Sequence, residues 1–340
     1  MNPLFQNAIK RIPQKVPPIW FMRQAGRYHQ HYQALKQKHS FMELCKQPEL
    51  AAEVALGPIM DFDFDVSILF SDLLFPLEGL GMGLEYNPGP KLGWHLDTEA
   101  DLQKLNSVEQ ALEALQFQRE AVRITRERLP ADKSLIGFVG GPWTLFSYAC
   151  QGAHDGSLIG AKKRLPLFPQ FCEKMVPLLI QNIRLQLEGG AELVMIFDTA
   201  AGELSPELFL TQVVPQIERM AQAFPGKLGY YSRSTQAAHL NHPLFMGDLF
   251  AGLGVDHRWP LPTALSLRRT GFLQGNFDQA LLHCDPKDFM AHLMRFLEPL
   301  RRMTPENRAG WVCGLGHGVL PLTPEENVRT FVKTVRAYFA

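Results

Sequence analysis

A short β-rich run, a polar residue at its end and then a longer segment of helical period recur along the whole chain. The candidate strands are Val16 to Phe21, Val66 to Phe70, Leu135 to Val139, Leu193 to Phe197, Lys227 to Tyr231, Gly254 to His257, Phe272 to Gly275 and Gly310 to Cys313. Strands separated by helical segments of a dozen residues or more are joined by crossovers, which make neighbouring strands parallel. Eight of them predict a (β/α)8 TIM barrel, read here as one catalytic domain over residues 1–340; an open doubly wound sheet fits the same alternation, because strand order is not readable from the chain.

The helices have legible punctuation. Ser205-Pro206-Glu207, Asp285-Pro286-Lys287 and Thr323-Pro324-Glu325-Glu326 each place a capping side chain before a proline at the first helical position. The last adds the glutamate of a capping box, and Gly189-Gly190 closes the helical segment from Pro177 to Glu188.

A barrel of this kind gathers the residues just past each strand at one face. Those residues are Arg23 and Arg27, Ser71 and Asp72, Trp143 to Tyr148, Asp198 and Thr199, Tyr231 and Ser232, His257, Asn276 and His317. Two arginines four apart beside Gly26 suit carboxylates or phosphates, which a planar guanidinium grips with paired donors. Each candidate also has a structural reading. Asp72 could cap a turn, Trp143 could be core, Asp198 and Thr199 could satisfy loop backbone, and His317 in the turn Gly314-Leu315-Gly316-His317-Gly318 could be a structural donor. The glycines of that turn suggest backbone N–H groups approaching an anion.

Composition narrows the partners. Lys plus Arg and Asp plus Glu are 34 each, which argues against nucleic acid or a membrane surface recognised through bulk charge. Five scattered cysteines without a Cys-x-x-Cys pair read as free thiols of a reducing compartment. The first residues lack the basic start and apolar run of a secretory signal, and no apolar run reaches the length of a membrane span, so a cytoplasmic location is expected. His29, His31 and His39 gain no cysteine or carboxylate to complete a metal set, and no nucleophile elbow, Walker loop or glycosidase carboxylate pair is recognisable.

Taken in order, Pro18-Ile19-Trp20-Phe21-Met22-Arg23-Gln24-Ala25-Gly26-Arg27-Tyr28, Ile68-Leu69-Phe70-Ser71-Asp72, Gly141-Pro142-Trp143-Thr144-Leu145, Phe197-Asp198-Thr199, Leu273-Gln274-Gly275-Asn276 and Leu315-Gly316-His317-Gly318 resemble the uroporphyrinogen decarboxylase family over nearly the whole chain. The resemblance implies a cytoplasmic, homodimeric (β/α)8 lyase of haem biosynthesis. Such an enzyme converts the four acetates of uroporphyrinogen to methyl groups, giving coproporphyrinogen and carbon dioxide without metal or organic cofactor. By position, Arg23, Gln24, Ala25, Gly26 and Arg27 resemble the substrate loop, Asp72 the pyrrole-binding aspartate, and Tyr148, Thr199 and His317 further substrate contacts; Asp72 and Arg23 are the catalytic candidates. The chain departs from the family pattern at His29-Gln30-His31, at Lys36 where an arginine is usual, at Gly254-Val255-Asp256-His257, and at Gly314 where asparagine is common. Two other readings compete: a related barrel moving methyl groups between a corrinoid and a thiol, which needs a zinc site, and a non-catalytic tetrapyrrole-binding barrel.

Overall fold

The computed structural model describes residues 1–154 and 156–340. Seven parallel strands form one curled sheet: β1 (Val66–Ile68), β4 (Ser134–Gly140), β5 (Val194–Phe197), β6 (Leu228–Tyr231), β7 (Phe250–Gly254), β8 (Phe272–Phe277) and β9 (Trp311–Leu315), adjacent in that order. Strand order follows chain order without reversal, which excludes the doubly wound alternative. A small antiparallel hairpin, β2 (Glu85–Tyr86) with β3 (Pro90–Lys91), was not expected from the sequence and stands apart.

The expected first strand, 16–21, is a correction: it is reduced to a single parallel bridge between Ile19 and Cys313. Its hydrogen bonds nonetheless reach both edges of the sheet. Trp20 N donates to Cys313 O at 3.0 Å and Cys313 N to Pro18 O at 2.8 Å, while Asp65 N donates to Ile19 O at 3.0 Å. Pro17 and Pro18 have no N–H to offer a ladder, which limits the pairing. Asp65 replaces part of it, its carboxylate accepting from Ile19 N at 2.7 Å.

A second correction concerns the sixth run, expected at 254–257 and found at Phe250–Gly254. The strand signal is masked because its positions must be small. A Cβ on Gly252 would come within 2.3 Å of the Phe272 ring, and one on Gly254 within 2.9 Å of Tyr231. The capping expectations divide. Ser205 does accept from Leu208 N at 3.3 Å. Asp285 makes no side-chain cap bond, and the last helix begins at Glu325 after Pro324. Thr323 instead donates to Leu320 O at 2.8 Å and lies 3.0 Å from His283 Nε2.

Side chains alternate across the strands as the two-residue pleat requires. Leu135 and Val139 of β4, with Val194 and Ile196 of β5, join the large core between sheet and helices. Ile136 and Met195 join an inner cluster with Trp20, Val66, Tyr231, Phe272 and Val312. Phe5, from the N-terminal helix Pro3–Ile9, packs into that inner cluster against Phe272. Asn2 caps this helix and ties it to the starts of β1 and β4: its N donates to Ser134 Oγ at 2.9 Å and its Nδ2 to Asp65 Oδ1 at 3.1 Å. The N-terminal end of the sheet is thereby plugged. The strands open only at their C-terminal ends, where the candidate residues stand.

Candidate active site

Arg23 follows the 18–20 segment with φ +55°, a left-handed conformation that a residue with a Cβ adopts only under local constraint. The constraint comes from both sides of the turn. Val319 N donates to Met22 O at 3.0 Å, Tyr28 Oη donates to Gln24 O at 2.7 Å, and His29 N donates to Gly26 O at 2.9 Å. Gly318 gives the Arg23 stem its room, since a Cβ there would meet the Arg23 side chain at 2.5 Å. Gly316 N donates to Phe277 O at 2.7 Å, and Gly314 has no space for a side chain because a Cβ would fall 2.2 Å from Trp20 O.

Arg23 and Arg27 are exposed, and among the described residues no carboxylate lies within ion-pair distance of either guanidinium. Gln24 between them is buried at 1% exposure, with neither side-chain polar atom hydrogen bonded. Leaving such an amide unpaired costs on the order of 1–3 kcal/mol per group. Ala25 and Gly26 form the small, half-buried crest of the loop.

Asp72 stands past β1, half-buried, and accepts Leu74 N at 2.9 Å through Oδ1. It does cap its own turn, as its structural reading anticipated, and no cation pairs with it within 4 Å among the described residues. Burial raises its carboxyl above the ordinary value; the Tyr86 phenol, the Leu74 N–H and the charge of Arg23 pull the other way. Tyr86 comes from the unforeseen hairpin. Its phenol is held protonated by burial first and by Asp72 second.

His317 is half-buried above β9, its ring stacked on Tyr231 at a centroid distance of 5.9 Å. Tyr231 Oη lies 2.8 Å from Gly316 O and 3.0 Å from His317 Nδ1. A carbonyl can only accept, so the hydroxyl proton goes to Gly316 and the hydroxyl oxygen accepts from Nδ1–H. This leaves Nε2 as a lone pair. Burial, followed by the charges of Arg23 and Arg233, brings the imidazole pKa down to about 3, so His317 is neutral at physiological pH. Tyr148 Oη is 2.6 Å from His154 Nδ1.

Thr199 is half-buried between two fixed neighbours. Asp198 Oδ1 accepts both Thr144 N at 2.7 Å and Thr144 Oγ1 at 2.8 Å, and Ala200 N donates to the same Thr144 hydroxyl at 3.0 Å. Trp143 is core, packed edge-on to Phe168. Asn276 donates to Asp256 O and Trp259 O, a scaffold role. The charge of Arg23 thus acts on both Asp72 and His317, and Tyr86 feels both Asp72 and Tyr148. No hydrogen bond or ion pair among the described residues joins Arg27 or Thr199 to that group. His29 finds a carboxylate after all, Asp61 at 2.7 Å, but no group of three or more His, Cys, Asp or Glu among the described residues is arranged to hold a metal.

Two features escaped sequence reasoning: Tyr86, on strands of only two residues, and Arg233, one residue past the last candidate considered after β6.

A sequence model of uroporphyrinogen decarboxylases matches residues 1–338. The chain belongs to the uroporphyrinogen decarboxylase family. Among similar curated proteins, the uroporphyrinogen decarboxylase of Thermus thermophilus is 34% identical, with 99% of this chain and 98% of that protein covered. That of Anaeromyxobacter dehalogenans is 35% identical, with 99% of each covered. Among solved structures, a methyltransferase from Methanosarcina mazei superposes with TM-score 0.77 over all of both chains at 20% identity. A putative vitamin-B12 independent methionine synthase from Listeria monocytogenes does so with TM-score 0.54 at 12% identity, over 96% and 97% of the two chains. At these identities the structural likeness speaks to fold alone.

Proposed function

We propose that this member of the family removes carbon dioxide from the four acetate side chains of uroporphyrinogen III, giving coproporphyrinogen III, with Asp72 and Arg23 as its catalytic residues. The observation that carries this reading is a carboxylate, Asp72, that has no paired cation among the described residues and feels the charge of Arg23, whose guanidinium likewise has no paired carboxylate among them, at the open end of the sheet. A substrate whose centre offers pyrrole N–H donors and whose rim carries eight carboxylates complements both.

Each acetate is lost by the same sequence. A proton adds to the ring α-carbon next to the carbon that bears the acetate, and the ring becomes cationic at the acetate-bearing position. The bond to the carboxylate then breaks, carbon dioxide leaves, and its electron pair neutralises the ring. A proton on the resulting exocyclic methylene, with loss of the ring proton, gives the methyl group; one proton is consumed per carbon dioxide released. Asp72, accepting pyrrole N–H groups, stabilises the cation as it forms, where a preorganised anion is worth most. Raised by burial, its carboxyl gains from the approach of a positive charge. Arg23 and Arg27 grip rim carboxylates, and Gln24, Ala25 and Gly26 shape the loop that carries them.

The neutral His317 is a hydrogen-bond acceptor through Nε2 in this scheme, not the acid. A guanidinium keeps its proton to about pH 12, so Arg23 acts first as a clamp. Tyr148 and Thr199 supply further polar contacts. We also propose that the 18–20 segment serves as the eighth stave of a closed barrel, that the chain is one catalytic domain, and that it works as a cytoplasmic homodimer with no cofactor, no nucleic acid and no membrane partner. No helix among the described residues is long and apolar enough to cross a membrane.

Anaerobic incubation of the purified protein with uroporphyrinogen, in metal-free and metal-loaded samples alike, tests the reading. Stepwise appearance of coproporphyrinogen is expected in both. Conversion in neither would defeat it.

A further inference from the structure

Arg233 follows β6 immediately after Tyr231 and Ser232. Its backbone is fixed with unusual care. Ser232 Oγ accepts Gly202 N at 2.9 Å, so the loop after β6 is tied to the loop that carries Thr199. Ser234 has φ +63° and donates its N–H to the buried Asp256 at 2.7 Å. Gly202 must lack a side chain because a Cβ there would lie 1.9 Å from Arg233 O. The side chain of Arg233, by contrast, is exposed and forms no hydrogen bond or ion pair among the described residues. The nearby carboxylate does not serve it: Asp256 is engaged by the Arg258 guanidinium at 2.6 Å and by Arg258 N at 3.0 Å.

The charge of Arg233 is felt inside the cleft, where it acts with that of Arg23 on His317 and Tyr231. These two arginines do not come from the same side. Arg23 rides on the segment that bonds to both edges of the sheet, whereas β6 is the middle strand of the seven. Both charges act on Tyr231 and His317, which are linked through the 3.0 Å hydrogen bond.

We propose that Arg233 is a further substrate-binding residue, gripping a rim carboxylate of the macrocycle on the side away from Arg23. This rests on the decarboxylase reading above. It supplies what the Arg23 and Arg27 loop lacks, a cation on the opposite wall, so that a flat polycarboxylate is held at two sides and kept in register over Asp72.

The test is a charge series, Arg233→Lys, Arg233→Gln and Arg233→Glu, assayed anaerobically against the unaltered protein, with thermal melting measured in parallel. An exposed side chain without partners leaves melting unchanged, while KM for uroporphyrinogen rises least for Lys, about tenfold for Gln and most for Glu. The turnover number stays within about threefold, as loss of uniform binding requires. A KM in R233Q and R233E equal to that of the unaltered protein, which itself converts the substrate, overturns the role of Arg233 and leaves the decarboxylase reading standing. No conversion by the unaltered protein overturns that reading and this inference with it.

Discussion

Asp72 and Asp198 both stand at the C-terminal ends of parallel strands, both are pushed up by burial, and the surroundings give them opposite tasks. Asp198 is fully buried, with one oxygen shared by two donors of Thr144 and the other without a partner. No cation is among the groups acting on it, and it fastens the helix Pro142–Gln151 to the end of β5. Gly141 permits that closeness, for a Cβ there would fall 2.2 Å from the Asp198 side chain. Asp72 accepts one backbone N–H, keeps access to the cleft, and feels the charge of Arg23. An open carboxylate near an unpaired cation can meet a ligand, while a sealed one can only hold the fold.

The largest expected break in that symmetry comes from Asp72→Asn. Conversion of uroporphyrinogen should fall by about 10²- to 10³-fold, the loss typical of removing one preorganised charge from a transition state, with the melting temperature little changed. Arg23→Lys keeps the charge that acts on Asp72 but loses the two-pronged grip; kcat/KM should fall about 10- to 100-fold, visible in both KM and kcat. Near-normal turnover in R23K would remove Arg23 from the site.

Asp198→Asn should separate stability from chemistry. The carboxyl of Asp198 is raised from 3.8 to about 6, so the folded state prefers its protonated form. That contribution is fully present below pH 3.8 and is lost as pH rises through about 6. Stability should therefore decline across that window in the unaltered protein, by on the order of 3 kcal/mol, and the decline should flatten in D198N. Denaturant midpoints between pH 4 and 7 measure it, and turnover should stay within about threefold. The smallest effect is expected of Tyr231→Phe, which touches neither carboxylate. Loss of the hydroxyl frees the His317 tautomer, seen as a change in its ¹⁵N imidazole shifts, with about a two- to fourfold rise in KM.

Much of this was legible in the sequence because periodicity and strand-end polarity are local signals. The parallel alternation of strands and helices, the loop of Arg23 to Arg27 and the strand-end positions of Asp72 and His317 followed from period and motif, while strand order did not. What was hidden depends on contacts across the fold. The 18–20 segment contributes hydrogen bonds without a ladder, β7 is written in glycines that make way for Phe272 and Tyr231, and Tyr86 arrives on a hairpin too short to show a period. Nor could spacing tell Asp198 from Asp72. Only the position of Thr144 relative to Gly141 distinguishes a sealed carboxylate from an open one.

The most direct test of the central claim is infrared difference spectroscopy of protein carrying ¹³C-labelled aspartate carboxyl groups, recorded anaerobically on binding coproporphyrinogen. The account predicts a carboxylate band that shifts on binding, persists in D198N and disappears in D72N. A band that survives in D72N, or that vanishes with D198N instead, would contradict it.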